Sequence, residues 1–206
     1  MNHSDPLFPP RPTALAQEIL TTVIRPGDLV IDATAGNGHD TVFLAECVGP
    51  TGKVLAFDVQ AAALESARER VGESGWVEFF HESHRKMSER AAVGSVAAVM
   101  FNLGYLPGED HALTTETGET LAALEIATGL LKSGGVLAVI CYPGHATGAE
   151  EAAAVEEWLV SLTNQGWRVA KYGAVGTRRA APFLMLAGKG SVPAVSAGFS
   201  CGTAPG

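Results

Sequence analysis

Asp32 and Asp58 flank a stretch that carries two closely spaced glycines, Gly36 and Gly38. Carboxylates so placed can accept hydrogen bonds from ligand hydroxyls. Glycines let a backbone approach a ligand with no Cβ in the way. Asp58 falls twenty positions after Gly38, the interval at which an acidic residue meets a ribose diol. Further polar clusters follow at His81-Glu82-Ser83-His84, Asn102-Leu103-Gly104-Tyr105 and Tyr142-Pro143-Gly144-His145. An asparagine carbonyl can accept an N–H bond and orient an amine. An aromatic ring can stack on a flat base or face a cationic amine. Histidine titrates where a proton must be moved near neutral pH.

The elements that must hold these groups alternate between strand and helix patterns. Leu29 to Ile31 is a short apolar run of the kind buried on both faces of a sheet. A glycine turn follows, a helix starts near Thr41, and Val54 to Phe57 is a second buried strand ending in Asp58. This is a nucleoside-binding βαβ unit, with unpaired N–H groups at its helix N-terminus. Before it, Thr13 is expected to cap a helix running to Ile24. After it the pattern predicts helices over 60–71, 117–131 and 148–164, and strands over 76–80, 95–101, 136–141, 167–172 and 183–187. The fold expected is α/β, a mostly parallel sheet with helices on both faces. The polar clusters then fall at the C-terminal ends of strands one to five, the edge where open α/β sheets bind ligands.

Composition narrows the classes. Hydrophobic residues are 47% and charged residues 17%, so the chain is globular. A net charge of −8 argues against a general nucleic-acid binder, although not against a local basic face. Cys47, Cys141 and Cys201 have no CxxC pair and no metal-ligand spacing, so no metal site and no structural disulfide are expected. The start has no basic stretch followed by an apolar one, and no run could span a bilayer. A cytoplasmic chain without membrane attachment is expected. Residues 1–12, with four prolines, read as an extended lead-in. Residues 13–190 read as one domain, and 191–206, small and turn-prone, as a disordered tail.

The glycine turn decides the cofactor. A dinucleotide fingerprint wants a third glycine where Thr41 stands, and no Gly-Lys-Ser/Thr closes a P-loop. Asp32-Ala33-Thr34-Ala35-Gly36-Asn37-Gly38 instead resembles motif I of class I S-adenosylmethionine (SAM) methyltransferases, with Thr34 in place of the usual first glycine. That resemblance implies the Rossmann-like seven-stranded sheet of the class and SAM as cofactor. It sets Gly36 and Gly38 by the methionine moiety, Asp58 on the ribose and Glu82 near the adenine. The wider cofactor set it implies adds Asp32, Thr34, Asn37, Asp40, Thr41, Gln60, Ser83, His84 and Asn102.

Asn102-Leu103-Gly104-Tyr105 occupies the place where amino-methylating SAM enzymes carry Asn/Asp-Pro-Pro-aromatic, with Leu-Gly here for Pro-Pro. Together DATAGNGHDTVFLA, FDVQ, FNLGYLPGEDH, LKSGGVLAVICYPGH and GAEE look like one bacterial family, the YtqB-like or MnmM-type tRNA methyltransferases, once grouped as rRNA methylases. The resemblance spans roughly Asp28 to Lys189 and departs at Glu109, where a second glycine is common. It implies methylation of the exocyclic amine of 5-aminomethyl-2-thiouridine at the tRNA wobble position, with the anticodon stem-loop as partner. Asn102, Tyr105 and His145 are then the catalytic candidates, and His84 and His111 are further proton acceptors. Leu103, Gly104, Asp110, Tyr142, Pro143, Arg178 and Arg179 are the substrate-binding candidates. Asp110, Thr114 and Thr115 would shape a substrate lid, and the two arginines would meet phosphate. A methyltransferase of rRNA or of a small amine metabolite, and a nucleoside-binding protein without catalysis, are the competing readings. Oligomeric state is left open, with a homodimer among the options.

Overall fold

Val30 and Ile31 point to opposite faces of one strand, and both are fully buried. Such burial needs a strand in the middle of a sheet with a helical layer on each side. The computed structural model describes residues 9–104, 117–144 and 146–190 and supplies that arrangement. The chain runs α1 (Pro12–Val23), β1 (Leu29–Asp32), α2 (His39–Val48), β2 (Lys53–Asp58), α3 (Ala61–Val71) and β3 (Val77–His81). A 3-10 helix (His84–Glu89) precedes β4 (Val96–Leu103), α4 (Thr117–Leu130) and β5 (Leu131–Cys141). Then come α5 (Ala146–Ser161), a short 3-10 turn (Leu162–Gln165), β6 (Arg168–Gly173) and β7 (Phe183–Gly188).

The seven strands form one sheet in the order β3-β2-β1-β4-β5-β7-β6. β1 to β5 are mutually parallel, and β7 runs antiparallel between β5 and β6. The order reverses between β1 and β4, so the crevice of this sheet opens at their C-terminal ends. On one face Leu20 and Leu44 of the helices meet Val30, Met100 and Ile140. On the other, Leu124 and Val155 meet Ile31, Phe57, Val99 and Phe101. Phe57 and Phe101 are fully buried, each stabilising the fold by roughly 2–3 kcal/mol. Because β7 is antiparallel, its first residue, Phe183, pairs with Cys141 at the end of β5. The β6–β7 loop, residues 174–182, therefore sits on the same rim as the ends of β1 to β5.

Three elements differ from the sequence reading. α1 starts at Pro12, with Arg11 at its N-cap and no side-chain cap, so Thr13 lies inside the first turn. Proline suits that position because its missing N–H would have no helical partner there. β5 begins at Leu131 rather than Val136, since Leu131 already pairs with Val96 of β4, and Gly134 N–H and Gly135 C=O pair with the backbone of Lys189. The His84–Glu89 helix is an additional element, capped by Ser83 accepting from Arg85 N–H. Residues 1–8 and 191–206, assigned above to a lead-in and a tail, lie outside the described residues.

Candidate active site

Asp32 ends β1 and is 1% exposed. It accepts from Thr34 N–H at 3.2 Å and from the Thr41 hydroxyl at 2.6 Å. The Thr34 hydroxyl in turn accepts from Asn102 N–H at 2.7 Å. Thr34, which replaces a glycine of the motif, thus braces the turn after β1 against the end of β4. Burial, then the nearby Asp40 carboxylate, pushes the Asp32 carboxyl up to about 7 against the lowering effect of its own hydrogen bonds.

Asp58 at the end of β2 accepts from Gly36 N–H at 2.8 Å and from Gln60 N–H at 2.9 Å. One carboxylate therefore shapes both the glycine turn and the start of α3. Gly36 and Gly38 have positive φ, at 49° and 79°. The missing Cβ of Gly38 faces protein, however: a Cβ there would lie 2.7 Å from Ala67 Cα. Gly38 is thus required for packing the N-terminus of α2 against α3. Asn37 is exposed, and its carbonyl accepts from Arg70 Nε at 2.6 Å.

Beyond β3, Glu82 Oε1 accepts from Arg90, whose guanidinium lies over Phe80 at 4.8 Å. Its other oxygen, Oε2, is buried without a partner, as is Gln60 Oε1. Buried acceptors of this kind normally find a donor. Gln60 N–H bonds to Asp58, and Glu82 follows His81, the strand partner of Asp58, so the two acceptors and this carboxylate share one edge of the sheet and fit a ligand that brings hydroxyls and an exocyclic amine. Ser83 is taken up in capping the 3-10 helix. His84 is buried against the edge of Phe101, with ring Nδ1 3.3 Å from Ala33 O. Burial lowers its pKa, so the ring is neutral at pH 7.

At the end of β4, Asn102 Nδ2 donates to Asp40 Oδ2 at 3.1 Å. Asp40 Oδ1 accepts from Gln17 Nε2 at 2.8 Å, which joins α1, α2 and β4. Gln17 carried no sequence signal, because it is one polar residue on an amphipathic helix and its partner is 23 positions away. Leu103 and Tyr142 are half-buried, and Tyr142 packs against Gly104. Pro143 follows on the same loop, and a Cβ on Gly144 would lie 3.8 Å from Ala180 O. The loop after β5 therefore adjoins the β6–β7 loop, on which Arg178 and Arg179 are exposed. Cys141 is excluded as a nucleophile, since burial pushes its thiol up to about 12. Tyr105, Asp110, His111, Thr114, Thr115 and His145 lie outside the described residues. Among the described residues no group of His, Cys, Asp and Glu could hold a metal ion, and no helix is long and apolar enough to cross a membrane.

A seven-stranded sheet of this order, with an acidic residue before a glycine turn and another ending β2, defines a class I SAM-dependent methyltransferase. Within that class the chain belongs to the family described as "putative rRNA methylase", whose model matches residues 54–188. It is 38% identical over 186 residues to the chloroplastic tRNA (mnm(5)s(2)U34)-methyltransferase of Arabidopsis thaliana, covering 84% of this chain and 68% of that one. Its fold is similar to that of a Clostridium thermocellum protein described as a "putative rRNA-methylase", with TM-score 0.83 and 33% identity over 89% of this chain and 100% of the other. It is likewise similar to SMU.1697c of Streptococcus mutans, described as "a putative methyltransferase" and solved in complex with SAH, with TM-score 0.78 and 34% identity over 87% of this chain and 98% of the other.

Proposed function

We propose that this chain methylates the exocyclic amine of 5-aminomethyl-2-thiouridine at the wobble position of tRNA. The observation that carries this reading is Asn102. Its backbone is tied to Thr34 and its amide nitrogen to Asp40, which leaves the amide carbonyl end for an N–H donor. A relative 38% identical is named for mnm(5)s(2)U34, the methylaminomethyl nucleoside that this transfer would produce, which supports the choice of amine.

Asp58, Gln60 and Glu82 would hold the ribose and adenine of SAM, and the turn from Thr34 to Gly38 its methionine end. SAM supplies a methyl group on a sulfonium. Asn102 accepts an N–H bond from the acceptor amine and so aims the nitrogen lone pair. The lone pair forms the N–C bond as the S–C bond breaks, and the S–C electron pair stays on sulfur. The product ammonium then gives up one proton. His145 is the first candidate to receive it, with His111 and His84 the others. Positioning carries most of this catalysis.

Arg178 and Arg179 share the rim with Asn102 and supply local positive charge on a chain of net charge −8. We assign them to the phosphates of the anticodon stem-loop, in a cytoplasmic setting where Cys47 and Cys141 stay free thiols.

The test is mass spectrometry of nucleosides after incubating the protein with SAM and tRNA bearing 5-aminomethyl-2-thiouridine. One added methyl on that nucleoside is expected. An unchanged nucleoside, with methyl transfer to rRNA or to a small amine instead, would overturn the tRNA assignment.

A further inference from the structure

We infer that Asp40 and Gln17 are positioning residues that set the orientation and the acceptor strength of the Asn102 amide. The inference rests on the reading of Asn102 as the group that holds the acceptor amine.

An amide has a donor end and an acceptor end of nearly the same shape, and only its partners fix which end faces where. Asp40 removes the ambiguity. A carboxylate only accepts, so the end of Asn102 that lies 3.1 Å away must be the NH₂ group. Asp40 is itself 5% exposed and cannot swing to water. Its second oxygen is held at 2.8 Å by Gln17 Nε2. It lies in the first turn of α2, where the unpaired N–H groups favour negative charge. The Thr34 hydroxyl fixes the Asn102 backbone at 2.7 Å. Side chain and main chain are therefore both locked.

The charge has a second effect. A carboxylate that accepts from an amide N–H draws electron density toward the amide oxygen, because hydrogen bonds in series polarise one another. The carbonyl of Asn102 becomes a stronger acceptor. Methyl transfer to an amine builds positive charge on its nitrogen, so that gain is largest in the transition state. Asp40 thus acts on the acceptor side through Asn102 and does not touch the cofactor. Gln17 keeps Asp40 in place.

Asp40→Asn tests this, because it keeps the shape and removes the charge and the one-way acceptor. The expected result is kcat lower by about tenfold or more, with the Kd for SAM by calorimetry within about twofold of wild type. Asp40→Glu should recover part of the loss. Gln17→Ala, a milder change should Asp40→Asn fold poorly, should lower kcat about threefold and leave SAM affinity alone. A readout without turnover is the ¹⁵N spectrum of the free protein. The Asn102 side-chain NH₂ should show one proton protected from exchange in the wild type, and that protection should vanish in Asp40→Asn. Wild-type kcat in both Asp40→Asn and Gln17→Ala overturns the inference, as does a parallel loss of SAM affinity, which would make Asp40 a cofactor ligand. If the wild type methylates a different amine, the same variants are measured on that amine, so the tRNA reading can fail separately.

Discussion

Gly104 and Tyr142 lie so close that a Cβ on Gly104 would be 3.1 Å from both Cδ2 and Cε2 of the tyrosine ring. They come from the ends of adjacent parallel strands, β4 and β5, where Leu103 pairs with Cys141. The ring therefore walls the position next to Asn102. It also accounts for glycine where amino-methylating enzymes carry proline, since a pyrrolidine ring would compete with Tyr142 for the same space.

Gly104→Ala should push the Tyr142 ring by a few tenths of an ångström. We expect the KM for tRNA to rise about threefold or more, with SAM affinity unchanged and a stability cost of about 1 kcal/mol. Tyr142→Leu in the same chain should relieve the contact, so the double variant should lose less than the two single changes combined. Strict additivity in steady-state kinetics would show that the contact does not shape the acceptor site.

Asp32 gives a signed pH dependence. Its pKa in the folded chain is about 7, raised from 3.8 chiefly by burial. The fold thus favours the protonated form. That contribution is complete below about pH 4 and is lost as pH rises toward 7, on the order of a few kcal/mol at 1.4 kcal/mol per unit. Asp32→Asn has no proton to lose, so its stability should fall less between pH 4 and pH 8. Urea unfolding at both pH values measures the difference. Parallel slopes for the two proteins would contradict the assignment.

The sheet and its rim were legible because they follow from local pattern. Leu29 to Ile31, Val54 to Phe57 and Val136 to Cys141 are apolar runs of strand length flanked by turn residues, and each ends where a polar cluster begins. What the sequence hid depends on contacts between distant elements. Gly38 reads as a ligand-facing glycine until Ala67 of α3 is seen against it. Asp40 stands within the cofactor motif, and only the fold shows that its partners are Gln17 and Asn102. Thr34 reads as a lapse in that motif, yet its hydroxyl ties β1 to β4. Ser83 reads as a polar rim group but caps the 3-10 helix.

Asp58→Asn separates two duties of one carboxylate. Both of its oxygens accept backbone N–H groups, from Gly36 and Gln60. An amide offers only one acceptor, so one part-buried donor loses its partner at a cost of about 1 kcal/mol. We expect a fall in Tm of a few degrees and a SAM affinity weaker by about tenfold. Calorimetry that finds SAM affinity unchanged removes Asp58 from the cofactor site and leaves it a scaffold for the turn.

Arg178 and Arg179 stand on the β6–β7 loop, which the antiparallel run of β7 brings to the catalytic rim. Both are exposed, so their substitution should leave folding within about 0.5 kcal/mol. Contacts to phosphate release counterions, and each lost contact lowers the dependence of log affinity on log salt by nearly one unit. Changing both to glutamate should raise the KM for tRNA about tenfold or more and reduce the salt slope by about two. SAM affinity should not move, because the loop lies beyond β5, away from Asp58 and Glu82. A tRNA KM that is unaffected, with an unaltered salt slope, would move the anticodon contact to another basic group, with Arg85, Lys86 and Arg90 beyond β3 next in line. Of these, Arg85 is paired with Glu119 at 2.6 Å and Arg90 with Glu82 at 2.8 Å. Their charge is already partly answered within the chain, and that is why the β6–β7 loop ranks first for the phosphates.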